Sequence, residues 1–188
     1  MTEHALLTAT TIRLRDGRTT TIRPLNPDDR PALLAFGHAL PPEELLYMQD
    51  DFSSPEVISR LTGACAADHW RQFLAVAGDM VVGYGAALRL AGWSSHVAEI
   101  QLIVSRGWRR GGLGTAMAPV LLDAAQALGA TRAVVEILEA QTTGLAIFER
   151  LGFQVEGRLD RHVCDRTGCS HTMLVLARQI DQDDEQSI

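Results

Sequence analysis

The chain has 188 residues, 46% of them hydrophobic and 21% charged, and a formal net charge of −6. That length and balance suit one globular domain whose core needs no disulfide or metal staple. No run approaches the ~18 apolar residues of a membrane span, and the acidic balance speaks against a nucleic-acid partner while fitting a cationic substrate.

Residues 1–18 read as an N-terminal extension. The opening MTEHALLTATTIRLRDG lacks a basic start followed by an apolar core, so no secretory signal is expected. Thr19 to Leu25 alternate and predict a strand. Asn26-Pro27-Asp28-Asp29 carries turn and helix-start residues, and a helix is expected over Asp29–Leu40. Pro41-Pro42 breaks it, and Pro42-Glu43-Glu44 starts a short segment through Met48. A further helix begins at Ser54, with Pro55 at its first position, and ends near Gly63.

The pattern then changes to period two and to continuous apolar runs. Gln72–Ala77 and Met80–Leu90 read as strands joined by a tight Gly78-Asp79 turn. Gly92–Ser95 is a loop, and Val97–Val104 (VAEIQLIV) is the next strand. From Thr115 to Leu128 the apolar positions share one helical face, and Gly129 closes that helix. Pro119 inside it predicts a kink. Arg132–Leu138 is a strand and Thr142–Leu151 a helix. Phe153–Leu159 and Thr172–Ala177 form a last strand pair around an irregular loop. Residues 179–188 read as an acidic C-terminal tail, and DQDDEQSI within it is expected to be disordered.

This order implies one α/β (α+β) domain over residues 19–178, a single mixed sheet with helices on both faces. The three cysteines fit reduced thiols in a cytoplasm. All 17 basic residues are arginine.

The stretch SRGWRRGGLGTA, Ser105 to Ala116, is a glycine-rich turn that follows a strand and opens a helix. Such turns hold phosphate: glycine lets the backbone approach closely, and the helix N-terminus presents amides and partial positive charge. A nucleoside-triphosphate loop needs a lysine, and there is none. A dinucleotide fingerprint needs a third glycine where Met117 stands, directly after the strand. The remaining reading is the pyrophosphate arm of coenzyme A, on Arg109-Arg110-Gly111-Gly112-Leu113-Gly114, with arginines adding charge-assisted hydrogen bonds.

With the AEIQLIV strand before the turn and AIFERLGF (Ala146–Phe153) after it, the chain resembles the GNAT superfamily of acetyl-CoA-dependent N-acetyltransferases over residues 20–178. The resemblance implies a mostly antiparallel sheet of six to seven strands flanked by helices. It implies acetyl-CoA as cosubstrate, an amine acceptor, no metal, no nucleic-acid or membrane partner, and compatibility with a homodimer. Acetyl-CoA would enter a V-shaped opening between Val97–Val104 and Arg132–Leu138. Cofactor contacts are expected from Leu102, Ile103 and Val104, from Arg109 through Thr115 (Arg109, Arg110, Gly111, Gly112, Leu113, Gly114, Thr115), and from Gln141 and Phe148. The main-chain N–H groups near Leu102–Val104 would polarise the thioester carbonyl.

Transfer of an acyl group to an amine requires a neutral amine, so a base must take its proton. Glu99 matches the glutamate that the family often places near the start of this strand. Strand alternation puts Glu99, Gln101 and Ile103 on one face and Ile100, Leu102 and Val104 on the other. Substrate binding or an ion pair with an arginine are the other roles open to Glu99. His96 is a loop histidine or a relay. The family's usual tyrosine acid is replaced by Phe148, which cannot donate a proton, and its usual asparagine by Gln141. That substitution keeps open a second function, a non-catalytic acyl-CoA-binding sensor.

The acceptor side would draw on the first two helical segments, the Gly92–Ser95 loop and the final hairpin. Glu43–Asp51 (EELLYMQDD) is either an acidic wall for a cationic amine or a solvated face. That region loosely resembles a subset of bacterial family members. If Asp165–Gly168 is a hairpin turn, Cys164 faces Cys169 and His162 faces His171, a four-ligand set of zinc type. A disulfide or ordinary hairpin residues account for the same pattern, and Arg161 or His162 would in the latter case touch acceptor.

Overall fold

The computed structural model describes residues 8–41, 45, 48, 50–165 and 167–180. Strands β1 (Thr10–Arg13), β2 (Thr19–Pro24), β3 (Trp70–Ala77), β4 (Met80–Arg89), β5 (Val97–Val104), β6 (Arg132–Leu138), β7 (Gln154–Cys164) and β8 (Ser170–Gln179) form one 8-stranded sheet in the order β1-β2-β3-β4-β5-β6-β8-β7. Every neighbouring pair is antiparallel except β5 with β6, which is parallel. Helices α1 (Arg30–Ala39), α2 (Pro55–Gly63), α3 (Leu113–Ala127) and α4 (Thr142–Arg150) cover the sheet.

The expected mixed sheet and its order are present, with one strand more than anticipated. The addition is β1, inside the segment read as an extension. Thr10–Arg13 pairs with β2 through a short hairpin, in which Leu14 N–H donates to Arg18 O at 2.8 Å and Gly17 N–H to Leu14 O at 3.0 Å. Gly17 has φ +85, the left-handed turn position that glycine fills without a steric cost. The Asp16-Gly17 dipeptide between two alternating runs was the signal for it.

Two apolar cores hold the layers. One face of the sheet packs under α3, whose Leu113, Met117 and Leu121 are fully buried. Each such side chain contributes on the order of 1.5–3 kcal/mol by leaving water. The close approach of α3 depends on Gly85 in β4, where an added Cβ would lie 2.9 Å from Leu121. Pro119 sits within α3 and cannot donate to the carbonyl one turn earlier. The other face is covered by α1 and α2, with Leu33, Phe36, Ile58 and Leu61 around Phe52 and Tyr84. Ser54 caps α2, its side-chain oxygen accepting from Val57 N–H at 3.3 Å.

The final hairpin differs from its expected register. Val163, not His162, lies opposite His171, and Cys164 lies opposite Ser170. A shift by one residue sends each side chain to the other face, so the supposed four-ligand set does not form. The register is set at the turn, where Asp165 N–H donates to Cys169 O at 2.9 Å and so puts Asp165, not Cys164, opposite Cys169; the ladder shifts again between Leu159 and Val163, where Arg161 has φ 55. The turn is organised by Asp165. Its carboxylate accepts from Thr167 N–H at 2.8 Å and Cys169 N–H at 3.0 Å, and lies 2.8 Å from His171 Nε2. These bonds hold the Asp165 carboxyl well below the usual carboxylate range, with the Thr167 side chain the largest contributor and His171 next. Among the described residues no group of three histidine, cysteine or acidic side chains is placed to hold a metal. The three cysteines form no disulfide, and among the described residues no helix is long and apolar enough to cross a membrane.

Most of the segment expected over Pro42–Met48, and residues 181–188 of the acidic tail, lie outside the described residues. Gln179 belongs to β8, and Ile180 N–H still donates to Thr131 O at 2.8 Å, so regular structure runs past residue 178.

Candidate functional site

β5 runs beside β4 along its whole length, from Arg89↔Ala98 to Gly83↔Val104. Against β6 it pairs only at Val97↔Arg132, Ala98↔Ala133 and Glu99↔Val134. Beyond Glu99 the parallel strands part. Backbone groups of Ile100–Val104 that point toward β6 therefore have no ladder partner there, and the gap opens into a cavity of about 700 Å³.

The walls follow from the elements around the gap. Glu99 through Val104 line one side, and Val135, Glu136 and Ile137 of β6 the other. Gln101 and Glu99 share a strand face, and Gln101 Nε2 donates to Glu99 Oε1 at 3.3 Å. Both are half-buried. Ile100, Leu102 and Val104 join the core under α3, whereas Ile103 joins the opposite core, as alternation requires.

The glycine turn closes one end. Gly112 precedes α3 with φ +95, and the first intrahelical donor is Ala116 N–H, bonded to Gly112 O at 3.0 Å. The amides before it have no partner within the helix, which leaves donors and positive helix-end charge at the cavity. Arg109, Arg110, Gly112, Gly114 and Thr115 all line this end. Arg109 Nε also donates to Val104 O at 2.9 Å, tying the turn to the end of β5. Arg110 has φ 64, an uncommon conformation for a residue with a side chain.

Gly111 and Leu113 do not line the cavity. Leu113 is fully buried and anchors the first turn of α3 in the core. Gly111 faces the β1–β2 hairpin, where an added Cβ would lie 2.6 Å from Asp16 Oδ2.

The remaining wall comes from α4 and the chain before α2. Gln141 lies at the cavity, but its side-chain oxygen accepts from Leu138 N–H at 2.9 Å and so shapes the start of α4. Phe148 lines the cavity while remaining buried, its ring edge-on to Phe153 at 5.3 Å. Of the two tyrosines, Tyr47 lies outside the described residues. Tyr84 lies off the cavity wall. It is fully buried and donates to Gln72 Oε1 at 2.8 Å, and burial pushes its phenol upward. Met48, Asp50 and Phe52 reach the cavity from the acidic stretch. His96, Arg161 and His162 are exposed and lie off the cavity wall. The cavity is thus polarised: Arg15, Arg109, Arg110 and Arg150 line it, as do Asp50, Glu99 and Glu136. The sequence reading missed Arg15, Arg150 and Phe52. Arg15 comes from the unanticipated hairpin and Phe52 from an irregular segment, so neither carried a local signal for this site.

Residues 37–153, more than half of the chain, match the model of the GNAT acetyltransferase family. The chain belongs to that family. The GNAT domain of Streptomyces lividans PAT has the same fold, at 19% identity and TM-score 0.76 over 96% of this chain and 99% of that one. So does yncA from Salmonella typhimurium, solved with its cofactor acetyl-CoA, at 18% identity and TM-score 0.75 over 87% and 95%. Mycobacterium smegmatis RimJ in complex with CoA-disulfide aligns at 20% identity and TM-score 0.74 over 91% and 86%. No curated protein sequence matches the chain. The GNAT fold explains why the turn, the parted strands and the α4 corner, dispersed in sequence, meet at one cavity.

Proposed function

We propose that the chain transfers an acetyl group from acetyl-CoA to a primary amine, of a small molecule or a protein, by direct attack. The parting of β5 and β6 after Glu99↔Val134 carries this reading. It leaves a slot between two strands that no longer form a ladder with each other, with a glycine-headed helix and Arg109 and Arg110 at one end and Glu99 at the other. An extended chain ending in phosphates fits such a slot, which is the test acetyl-CoA has to meet. Bound there, acetyl-CoA supplies an activated acyl group.

The chain's own residues then divide the work. Gly112, Gly114 and Thr115 offer backbone at the helix end, and Arg109 and Arg110 offer charge to phosphates. Main-chain groups at Leu102–Val104 run along the slot beside Gln141 and Phe148. A main-chain N–H there polarises the acyl carbonyl. Glu99, oriented by Gln101, takes the proton from the acceptor amine, directly or through a water. Glu99, and Asp50 in its ion pair with Arg60, offer carboxylates to a cationic acceptor. We place the acceptor beside Met48, Asp50 and Phe52, and the protein in the cytoplasm.

Release of free thiol from acetyl-CoA across a panel of amines tests the proposal. Amine-dependent release supports it. Tight CoA binding with no amine-dependent release supports instead a non-catalytic acyl-CoA sensor, the reading favoured by one observation: the tyrosine acid of the family is here a buried phenyl ring, Phe148.

A further inference from the structure

The β1–β2 hairpin is docked onto the glycine turn. Arg15 N–H donates to Gly111 O at 2.9 Å, and Arg18 Nη1 donates to Gly107 O at 2.9 Å. The Arg18 guanidinium also lies 4.0 Å from the centre of the Trp108 ring. Arg18 is neutralised by Asp16, which accepts from its Nε at 2.9 Å and its Nη2 at 2.6 Å.

Arg15 is treated differently by the fold. Its side chain passes along Gly112, with Cγ and Nε each 3.7 Å from where a Cβ at Gly112 would stand, and it lines the cavity beside Arg109 and Arg110. Among the described residues no side chain or carbonyl forms a hydrogen bond or ion pair with its guanidinium. Three arginines, Arg15, Arg109 and Arg110, gathered at one helix N-terminus repel one another unless an anion joins them. A hairpin secured by its other groups, with one uncompensated cation extended into a phosphate-binding end, is a device for holding that anion.

We infer that Arg15 is a ligand for a phosphate group of the cofactor, delivered by the β1–β2 hairpin rather than by the glycine turn. This rests on the reading that the cavity takes acetyl-CoA. The chemistry is a guanidinium on a phosphate oxygen, and two phosphates of the cofactor present it: the pyrophosphate and the ribose 3′-phosphate.

The test is calorimetric binding of CoA and of dephospho-CoA to the full chain, in wild type, Arg15→Ala, Arg15→Lys and Arg13→Ala. Arg13 is exposed in the same hairpin and lies off the cavity wall, so its variant controls for loss of one surface charge. Arg15→Ala is expected to weaken CoA binding about ten-fold or more, as loss of a charge-assisted hydrogen bond does. Arg15→Lys recovers part of the loss, and Arg13→Ala stays within about two-fold. The affinity of Arg15→Ala also falls less steeply with salt than that of wild type. A loss that disappears with dephospho-CoA assigns Arg15 to the 3′-phosphate, and one that persists assigns it to the pyrophosphate. Wild-type affinity for CoA in Arg15→Ala overturns the inference and leaves the cofactor reading standing. Failure of the wild type to bind CoA overturns both. Arg15→Ala and Arg15→Lys keep the backbone bond to Gly111, and an unchanged melting temperature confirms that the hairpin is in place.

Discussion

Glu99 lies opposite Val134 on the last rung of the parallel ladder between β5 and β6, so the proposed base stands at the point where the sheet opens. The three rungs from Val97 to Glu99 hold the strands together, and the β5 residues beyond them border the cavity. Position along one strand thus separates the part that fixes the sheet from the part that borders the cavity.

Glu99→Gln keeps the shape and the contact with Gln101 but cannot accept a proton. Its kcat/KM for an amine acceptor is expected to fall about 10²-fold at neutral pH, the usual contribution of a positioned base. The deficit shrinks at high pH, where the amine loses its proton to solvent. A pH–rate profile identical to that of wild type removes Glu99 from the mechanism.

Gly112→Asp should abolish CoA binding while leaving α3 folded. A side chain at φ +95 is strained by about 1 kcal/mol or more, and a carboxylate there repels phosphate at the end of the helix. Circular dichroism with CoA titration separates the two effects. Unchanged CoA affinity rules out the turn as the phosphate site.

Phe148→Tyr restores a hydroxyl at the cavity wall. If departure of the thiolate limits turnover, kcat rises several-fold at unchanged KM, because the new phenol protonates the sulfur. An unchanged kcat, in a variant that melts within a few degrees of wild type, shows that the thiolate leaves without an acid.

Gly37 in α1 allows contact with the segment that carries Phe52. A Cβ there would lie 1.9 Å from Phe52 O and 2.4 Å from Phe52 C, and backbone yields less readily than a side chain. Gly37→Ala is expected to cost about 2–3 kcal/mol and lower the melting temperature by roughly 5–10 °C. Because Phe52 also lines the cavity, KM for the acceptor should rise more than KM for acetyl-CoA. Wild-type stability contradicts this packing.

Asp29 binds Arg23 in a two-point ion pair at 2.6 and 2.7 Å and accepts from Asn26 N–H at 2.8 Å. The Arg23 hydrogen bond, more than any opposing desolvation, holds its carboxyl below the usual carboxylate range. A carboxyl whose folded value is depressed stabilises the fold above its unfolded value of about 3.9, and that contribution is lost as pH falls through the folded value. Urea midpoints measured from pH 6 downward should therefore decline below about pH 4 more steeply in wild type than in Asp29→Asn. Parallel declines show that the pair is not coupled to folding.

Much of this was legible along the chain. The boundaries of β5 and β6 fell where alternation and the flanking glycines placed them, and α3 was signalled by its single apolar face. The glycine turn was readable because one requirement, backbone close to an anion, selects residue types in a short window. The β1–β2 hairpin carried a signal too, Asp16-Gly17 between alternating runs, which the polar composition around it obscured. The hairpin at Asp165 was less legible. Asp165 closes its turn on Cys169 one residue away from the expected pairing, and the ladder shifts again between Leu159 and Val163, where Arg161 has φ 55; both depend on how the two strands meet rather than on alternation within either one.

The sequence by itself determined the kinds of element, and its motifs carried the resemblance to the family and the expectations for Glu99 and the glycine turn. The elements follow from local periodicity, and the motifs from side-chain types at close spacing. Only the tertiary structure decided that β5 and β6 separate after three rungs, that Gly111 serves the hairpin while Gly112 serves the cavity, and that Arg15 stands beside Arg109 and Arg110. These depend on contacts between segments far apart in the chain. They are settled by how two cores pack on opposite faces of one twisted sheet, which no local window contains.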